Sequence, residues 1–426
     1  MKKTLLHTLL LAALAPAMAP QAWAQVFPEA MDYVMQLQSS VQSNSNPGRV
    51  SENRGEAKSS TVLVNTLGLA ARVPLLSDDT RLDIAGTIGD ASFGGQHQLD
   101  YQPRSLDTTL HWRAGRLFSG KVGYQYWRER YDSDRLWPDS DTVSTRRWEA
   151  EAGMHVTNDL TLPVIRLYDE RARYGALLNQ QLFDRDEKGW EVSARYQSPT
   201  GSSLIAGYGE SRTTLPQRHA LARTDLDDAY RDREVFTQVY WQYSVKTSLL
   251  ARVGWLQRRY ANFSERDTRL LTLNTEAIWR PSPKTELRLG LWQRPYNNDE
   301  DPNTIYSMNK GVGLTANWRA TPKLALSLQA AYERQKDKRL NGQSAISPRL
   351  HLGSRLTWNA SPNLDVIVDG YHVRRSGDDA WNRYTQNVVR LGIVLYTDSG
   401  NEQVRPLLNP LACNWSYHYQ EASLCP

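Results

Sequence analysis

Apolar and polar positions alternate along most of this chain. Leu287, Leu289 and Leu291 fall on one side, and Arg288, Gly290 and Trp292 on the other. Val312, Leu314, Ala316 and Trp318 oppose Gly313, Thr315 and Asn317, while Leu350, Leu352, Leu356 and Trp358 oppose His351, Gly353, Arg355 and Thr357. Trp148, Ala150, Ala152 and Met154 oppose Glu149, Glu151 and Gly153. A period of two marks strands with unlike faces, because successive side chains of a strand point to opposite sides. No segment sustains a helical period, so the expected fold class is all-β.

A slower beat lies over the alternation. Seven segments share an aromatic residue or His, a few turn residues and a strand restart; their anchors are Trp112, His155, Tyr196, Tyr243, Trp279, Trp318 and Trp358, 36 to 47 residues apart. Pro, Gly, Ser and Asn punctuate the tight turns, as in Ser198-Pro199-Thr200-Gly201, Pro281-Ser282-Pro283, Thr321-Pro322 and Ser361-Pro362. Longer polar stretches lie between them, at 132–142, 171–187, 213–231 and 297–304. Counting hairpins gives about 18 strands, starting near 31, 60, 80, 97, 119, 143, 159, 187, 202, 232, 247, 267, 284, 306, 323, 346, 363 and 382; 16 is the alternative, with 60–110 the least clear stretch. Short turns on one side and long loops on the other describe a transmembrane antiparallel up-and-down β-barrel, with short periplasmic turns and long extracellular loops. A propeller has a similar period but needs four strands per beat, and each beat here holds two long ones.

The start of the chain fits that architecture. Lys2 and Lys3 precede an apolar run, Leu5 to Ala15, and Ala22-Trp23-Ala24 is a small-residue cleavage site, so 1–24 reads as a signal peptide and the mature chain as beginning at Gln25. The apolar run is short and interrupted by Pro16 and Pro20, which argues against a membrane anchor. The expected domains are the signal peptide 1–24, the barrel 25–397 and a C-terminal tail 398–426. The expected location is the outer membrane of a Gram-negative bacterium, with outer-membrane lipid and the barrel assembly machinery as partners.

Composition adds two things. Mean hydropathy is −0.60, yet the chain carries 14 Trp and 21 Tyr against 6 Phe. Amphipathic rings on a polar chain suit a protein with one face in lipid and one in water, and Trp and Tyr settle at headgroup level. Trp112, Tyr196, Tyr243, Trp279, Trp318 and Trp358 therefore form the expected periplasmic aromatic girdle. The formal charge is +5, or +3 without Lys2 and Lys3, too balanced to suggest a nucleic-acid partner.

The opposite strand face would line a lumen too wide for its own side chains to fill. The candidate sugar-contacting residues there are Arg195, Arg252, Arg288, Trp292, Arg294, Arg355, Tyr240, Glu149, Glu151 and Glu333. Arg and carboxylate groups bond hydroxyls, Arg forks hold uronate carboxylates, and aromatic faces stack on sugar C–H surfaces. Mixed charge is also what any water-filled lumen presents, and it argues against a purely anionic polymer. As a solvated face, it is expected to carry little folding energy. There is no HExxH, G-x-S-x-G, phosphate loop or CxxC, and no His stands at ligand spacing from another His or Cys, so neither an enzyme, a metal nor a cofactor is expected.

The stretches HQLDYQPRSLDTTLHWRAGRLFSGKVGYQY (97–126) and GWEVSARYQSPTGSSL (189–204) resemble the outer-membrane β-barrel proteins of exopolysaccharide biosynthesis operons, the EpsL type within the β-barrel porin families. The likeness runs over about 31–397. It implies a pore through which an exopolysaccharide leaves the cell, working with a periplasmic polysaccharide-export protein. A diffusion or uptake porin for oligosaccharides is the alternative, and a rim-site enzyme a more distant one. The chain departs from an ordinary barrel ending, because about 30 residues follow the strand that ends at Tyr396. Tyr396 is the candidate closing aromatic, and Cys413 and Cys425 are a possible disulfide in an oxidising compartment.

Overall fold

Strand alternation becomes a continuous wall in a computed structural model, which describes residues 31–51, 53, 55–77, 79–130, 142–175, 181–221, 227–296, 304–378, 383–399 and 405–408. The leader, Cys413 and Cys425 lie outside the described residues. The strands are β1 (Asp32–Asn44), β2 (Ser60–Ser77), β3 (Thr80–Phe93), β4 (Arg104–Ala114), β5 (Phe118–Arg130), β6 (Thr142–His155), β7 (Leu160–Tyr174), β8 (Arg185–Gln197) and β9 (Ser203–Thr214). They continue as β10 (Ala229–Ser244), β11 (Thr247–Tyr260), β12 (Thr268–Ser282), β13 (Thr285–Tyr296), β14 (Thr304–Thr321), β15 (Leu324–Arg339), β16 (Ser344–Ser361), β17 (Leu364–Arg375) and β18 (Tyr384–Asp398). Each pairs antiparallel with its sequence neighbours, and β1 pairs with β18 from Val34↔Asp398 to Asn44↔Val388, which closes an 18-stranded barrel.

The expected rhythm holds for 17 of the strand starts to within three residues or fewer. The exception is the start expected near 97. His97–Leu99 forms a single 3-10 turn, and β4 begins at Arg104. Asp100 accepts the Phe93 backbone N–H at 2.6 Å, Leu99 packs on Val62, Ala91 and Phe93, and Pro103 supplies no N–H. The end of the barrel also moves by one residue, to Asp398.

The turns between β10 and β11, β12 and β13, β14 and β15, and β16 and β17 hold two residues each, whereas the opposite end carries the long connections. Closure with period two sends every second side chain outward. Leu67, Val122, Leu167, Val192, Val235, Val253, Leu289, Leu314, Leu328, Leu352 and Val389 are exposed on that outer face. A continuous apolar belt of this size, on a sheet with no free edge, is a lipid-facing surface. Tyr196, Tyr243, Trp279, Trp318 and Trp358 stand exposed on the same face at the short-turn end, with Trp112 half-buried beside them. Nearer the long-loop end, Trp148, Trp190, Trp255 and Tyr332 also point outward, a row the sequence reading did not single out.

Trp318 is 50% exposed. Moving about half of its ~200 Å² ring from the interface to water costs on the order of 2 kcal/mol. Trp318→Ala is expected to lower the temperature at which the heat-modifiable gel band converts to the unfolded one, and to leave pore conductance unchanged. An unchanged transition temperature would contradict a lipid-anchoring role.

Candidate functional site: the charged lumen

The pairing register determines which side chains face inward. Glu149 and Glu151 of β6, Arg195 of β8, Tyr240 of β10, Arg252 of β11, Arg288, Trp292 and Arg294 of β13, Glu333 of β15 and Arg355 of β16 all lie on the parity opposite the lipid belt. The register thus places the ten candidate residues on one inner surface. Their chemical setting differs from a loosely solvated wall.

From β5 to β11 the inner face carries a lattice of ion pairs, most of them linked. Glu149 receives Lys121 at 2.8 Å, Arg166 at 2.7 Å and Arg147 at 3.4 Å. Arg147 also reaches Glu170 at 3.0 Å, and Glu170 takes Arg185 at 2.8 Å. Arg166 continues to Glu191 at 3.4 Å, Glu191 to Arg252 at 3.3 Å, and Arg252 to Glu234 at 2.8 Å. The Thr272 hydroxyl donates to Glu234 at 2.6 Å. Arg195 pairs with Glu151 at 3.0 Å, and Arg258 with Asp232 at 2.7 Å. Aromatic faces lie under some of the cations, with Arg252 3.8 Å from the Phe236 ring centre and Arg258 4.0 Å from that of Tyr230. Such contacts hold guanidinium groups flat against the wall. Each cation has a carboxylate, and the partly buried lattice stiffens the wall while leaving further donors and acceptors toward the lumen.

The opposite arc corrects one expectation. Trp292 is not an open stacking platform: it is 7% exposed, and its ring N–H donates to Glu333 at 2.8 Å. Its ring lies against Gly311, where an added Cβ would stand 2.0 Å from it, so only glycine fits beneath. Arg355 and Arg390 converge on Asp369 at 3.2 and 2.6 Å, Arg288 bonds Glu286 at 2.7 Å, and the Tyr240 hydroxyl donates to Gln242 at 3.0 Å. The inner face therefore contributes to folding.

Both mouths are narrowed by chain segments. At the long-loop end, the segment after β1 folds inward. The Asn46 side chain donates to the Thr385 carbonyl at 3.3 Å, Arg130 donates to the Pro47 carbonyl at 2.5 Å, and Arg49 lies 5.8 Å from the Tyr384 ring centre with a left-handed φ of 48°. Asn46, Arg49 and Ser51 are each 2% exposed. Farther round the mouth, Phe183 packs on Val143, Ala172 and Tyr174. Next to it, burial pushes the Asp184 carboxyl above its ordinary range, against the Tyr174 backbone N–H that donates to it at 2.8 Å.

At the short-turn end, the chain beyond β18 returns to the barrel as the 3-10 turn Arg405–Leu408. Leu408, 4% exposed, seats on Val34, Ala70 and Ala85 with Leu407 and Tyr396 beside it. These wall residues have the inner parity, so the turn lies within the lumen. Gly68 makes room, since a Cβ there would come within 3.1 Å of Leu408. Tyr396 faces inward, bonding Asp365 at 3.0 Å, and is not a lipid-facing closing residue. The tail beyond β18 is thus in part lumenal packing. The signal was Leu407-Leu408, an apolar pair beyond the polar run 398–403.

No family model and no curated protein matches the chain, and nothing found supports the EpsL-type resemblance of 97–126 and 189–204. Among solved structures, the chain is similar to a BenF-like porin from Pseudomonas fluorescens Pf-5, at 11% identity and a TM-score of 0.49, over 87% of this chain and 100% of that one. It is also similar to Pseudomonas aeruginosa OccK2 (OpdF), at 12% identity and 0.49, over 87% and 99%, and to Pseudomonas aeruginosa OpdK with vanillate, at 11% and 0.47, over 87% and 100%. The closed barrel itself rests on this chain's own strand pairing. Among the described residues, no three His, Cys, Asp or Glu gather as metal ligands.

Glu149 joins three cations, so Glu149→Gln leaves Lys121, Arg147 and Arg166 short of one negative charge. Leaving partly buried charges under-paired costs about 1–3 kcal/mol. The variant is expected to unfold at lower temperature and to shift the reversal potential in a KCl gradient toward anion selectivity. An unchanged reversal potential would remove Glu149 from the conducting wall.

Proposed function

We propose that the chain is a pore of the bacterial outer membrane and admits small, polar, hydrogen-bonding solutes such as oligosaccharides. The observation that carries this reading is the inner face: Arg, Glu, Asp and Tyr groups line the closed barrel, with both mouths narrowed by the chain itself. A narrowed passage lined with fixed donors and acceptors selects short polar solutes by replacing their hydration. In this reading the short turns face the periplasm and the long loops the exterior, as in outer-membrane barrels generally.

A second reading has one specific observation in its favour. Export of an exopolysaccharide, handed over by a periplasmic polysaccharide-export protein, needs a pore that is shut at rest, and Leu408 sits in the lumen at the mouth such a partner would meet. Planar-bilayer recording separates the two readings. The proposal expects steady conductance from the purified barrel and swelling of proteoliposomes in a trisaccharide solution. A silent barrel that opens when residues 399–426 are removed would overturn the porin reading in favour of gated export.

A further inference from the structure

The outer face above the lipid belt carries a row of like charges. Lys188 of β8 is the register partner of Arg212 of β9, Arg212 is the partner of Arg231 of β10, and Arg231 is the partner of Arg259 of β11. All four have the outward parity of Trp190, Leu204, Val235 and Trp255, and all four are exposed. Like charges directly opposite one another on a sheet face repel and weaken the pairing. Here the juxtaposition repeats across three consecutive strand interfaces. The local carboxylates do not balance it. Asp169 lies 3.4 Å from Lys188 but is shared with Arg171 at 3.3 Å, and Glu210 lies 3.5 Å from Arg231 but bonds Arg233 at 2.8 Å. Near the row, Asp227 is held by Arg266 at 2.9 Å.

The surroundings specify the chemistry of the missing counter-charge. The next rung toward the midplane holds Trp190, Arg233 and Gln257 around Glu210, and the rung after it is aromatic and aliphatic: Tyr208 packs at 5.5 Å, tilted, on Trp190, with Val192, Val235 and Trp255 alongside. A ligand filling both zones has phosphates at the level of the row and acyl chains below it. The row spans three strand spacings, roughly 14 Å, wide enough for more than one phosphate. Guanidinium forks suit phosphate oxygens, and cations beside a membrane attract anionic headgroups. We propose that Lys188, Arg212, Arg231 and Arg259 form a binding site for a multiply phosphorylated glycolipid of the leaflet at the long-loop end. The glycolipid relieves the cross-strand repulsion and fastens the β8–β11 wall into that leaflet. The site is on the opposite face of the sheet from the lumen, so it is independent of what the pore carries.

The test uses the full-length barrel in nonionic detergent and a triple variant, Lys188→Gln, Arg212→Gln, Arg231→Gln. Each is mixed with a bis-phosphorylated glycolipid, the same glycolipid stripped of phosphate, or inorganic phosphate, and bound ligand is counted by native mass spectrometry. Wild type is expected to retain the phosphorylated glycolipid at least tenfold better than the stripped one, and the triple variant to lose that preference. The glycolipid should raise the unfolding temperature of wild type alone, while without it the triple variant should be at least as heat-resistant as wild type. Conductance of the two should match. Equal retention by the folded triple variant, or retention indifferent to the phosphates, would overturn the site. Displacement by millimolar inorganic phosphate would overturn its assignment to a lipid. The single variant Arg212→Gln, with half or less of the wild-type retention expected, decides the matter if the triple variant does not fold.

Discussion

In hydrocarbon there is no water to satisfy a backbone N–H or C=O, so a sheet that crosses a membrane has to leave no edge. That constraint shapes this molecule. It makes β1 and β18, separated by almost the whole chain, hydrogen-bonded neighbours over eleven residue pairs. Once the sheet closes, each strand residue faces either lipid or lumen. The outer set can be apolar and the inner set polar without violating either solvent.

Closure also explains why the inner wall is paired as well as polar. Neighbouring strands bring charges into contact from distant parts of the chain, as with Arg195 and Glu151, 44 residues apart, and Arg252 and Glu191, 61 apart. Side chains on the concave inner surface crowd toward one another, and unpaired ions there would carry a desolvation cost. The lattice lowers that cost and holds side chains in place. On the outer face the same register places Lys188, Arg212 and Arg231 side by side with too few carboxylates. The two faces thus solve the charge problem differently, one within the protein and one, as proposed, with lipid.

Much of this was legible in the residues because it depends on local period. Turn chemistry and the aromatic anchors gave the strand rhythm, and parity separated Arg288 from Leu287 and Leu289. What parity does not show is what lies over a side chain. Trp292 has inward parity, but its burial depends on Gly311 and Glu333 of two other strands. Tyr396 looked like a closing aromatic until the β1–β18 register turned it inward, and the seating of Leu408 depends on Gly68, far away in sequence. The stretch at 97 alternates well enough to pass for a strand, yet Asp100 and Leu99 make a turn of it.

The central claim is that one closed sheet separates a lipid face from a water-filled lumen with strict alternation. Single cysteines at 312, 313, 314, 315 and 316 of β14, in a background with Cys413 and Cys425 changed to Ser, test it in proteoliposomes with a small charged maleimide. The account predicts fast labelling at 313 and 315 and almost none at 312, 314 and 316, since Gly313 and Thr315 pair with the inner-face Gly290 and Arg288 while Val312 and Leu314 lie on the exposed apolar belt. Uniform labelling, or labelling of the even positions alone, would contradict it.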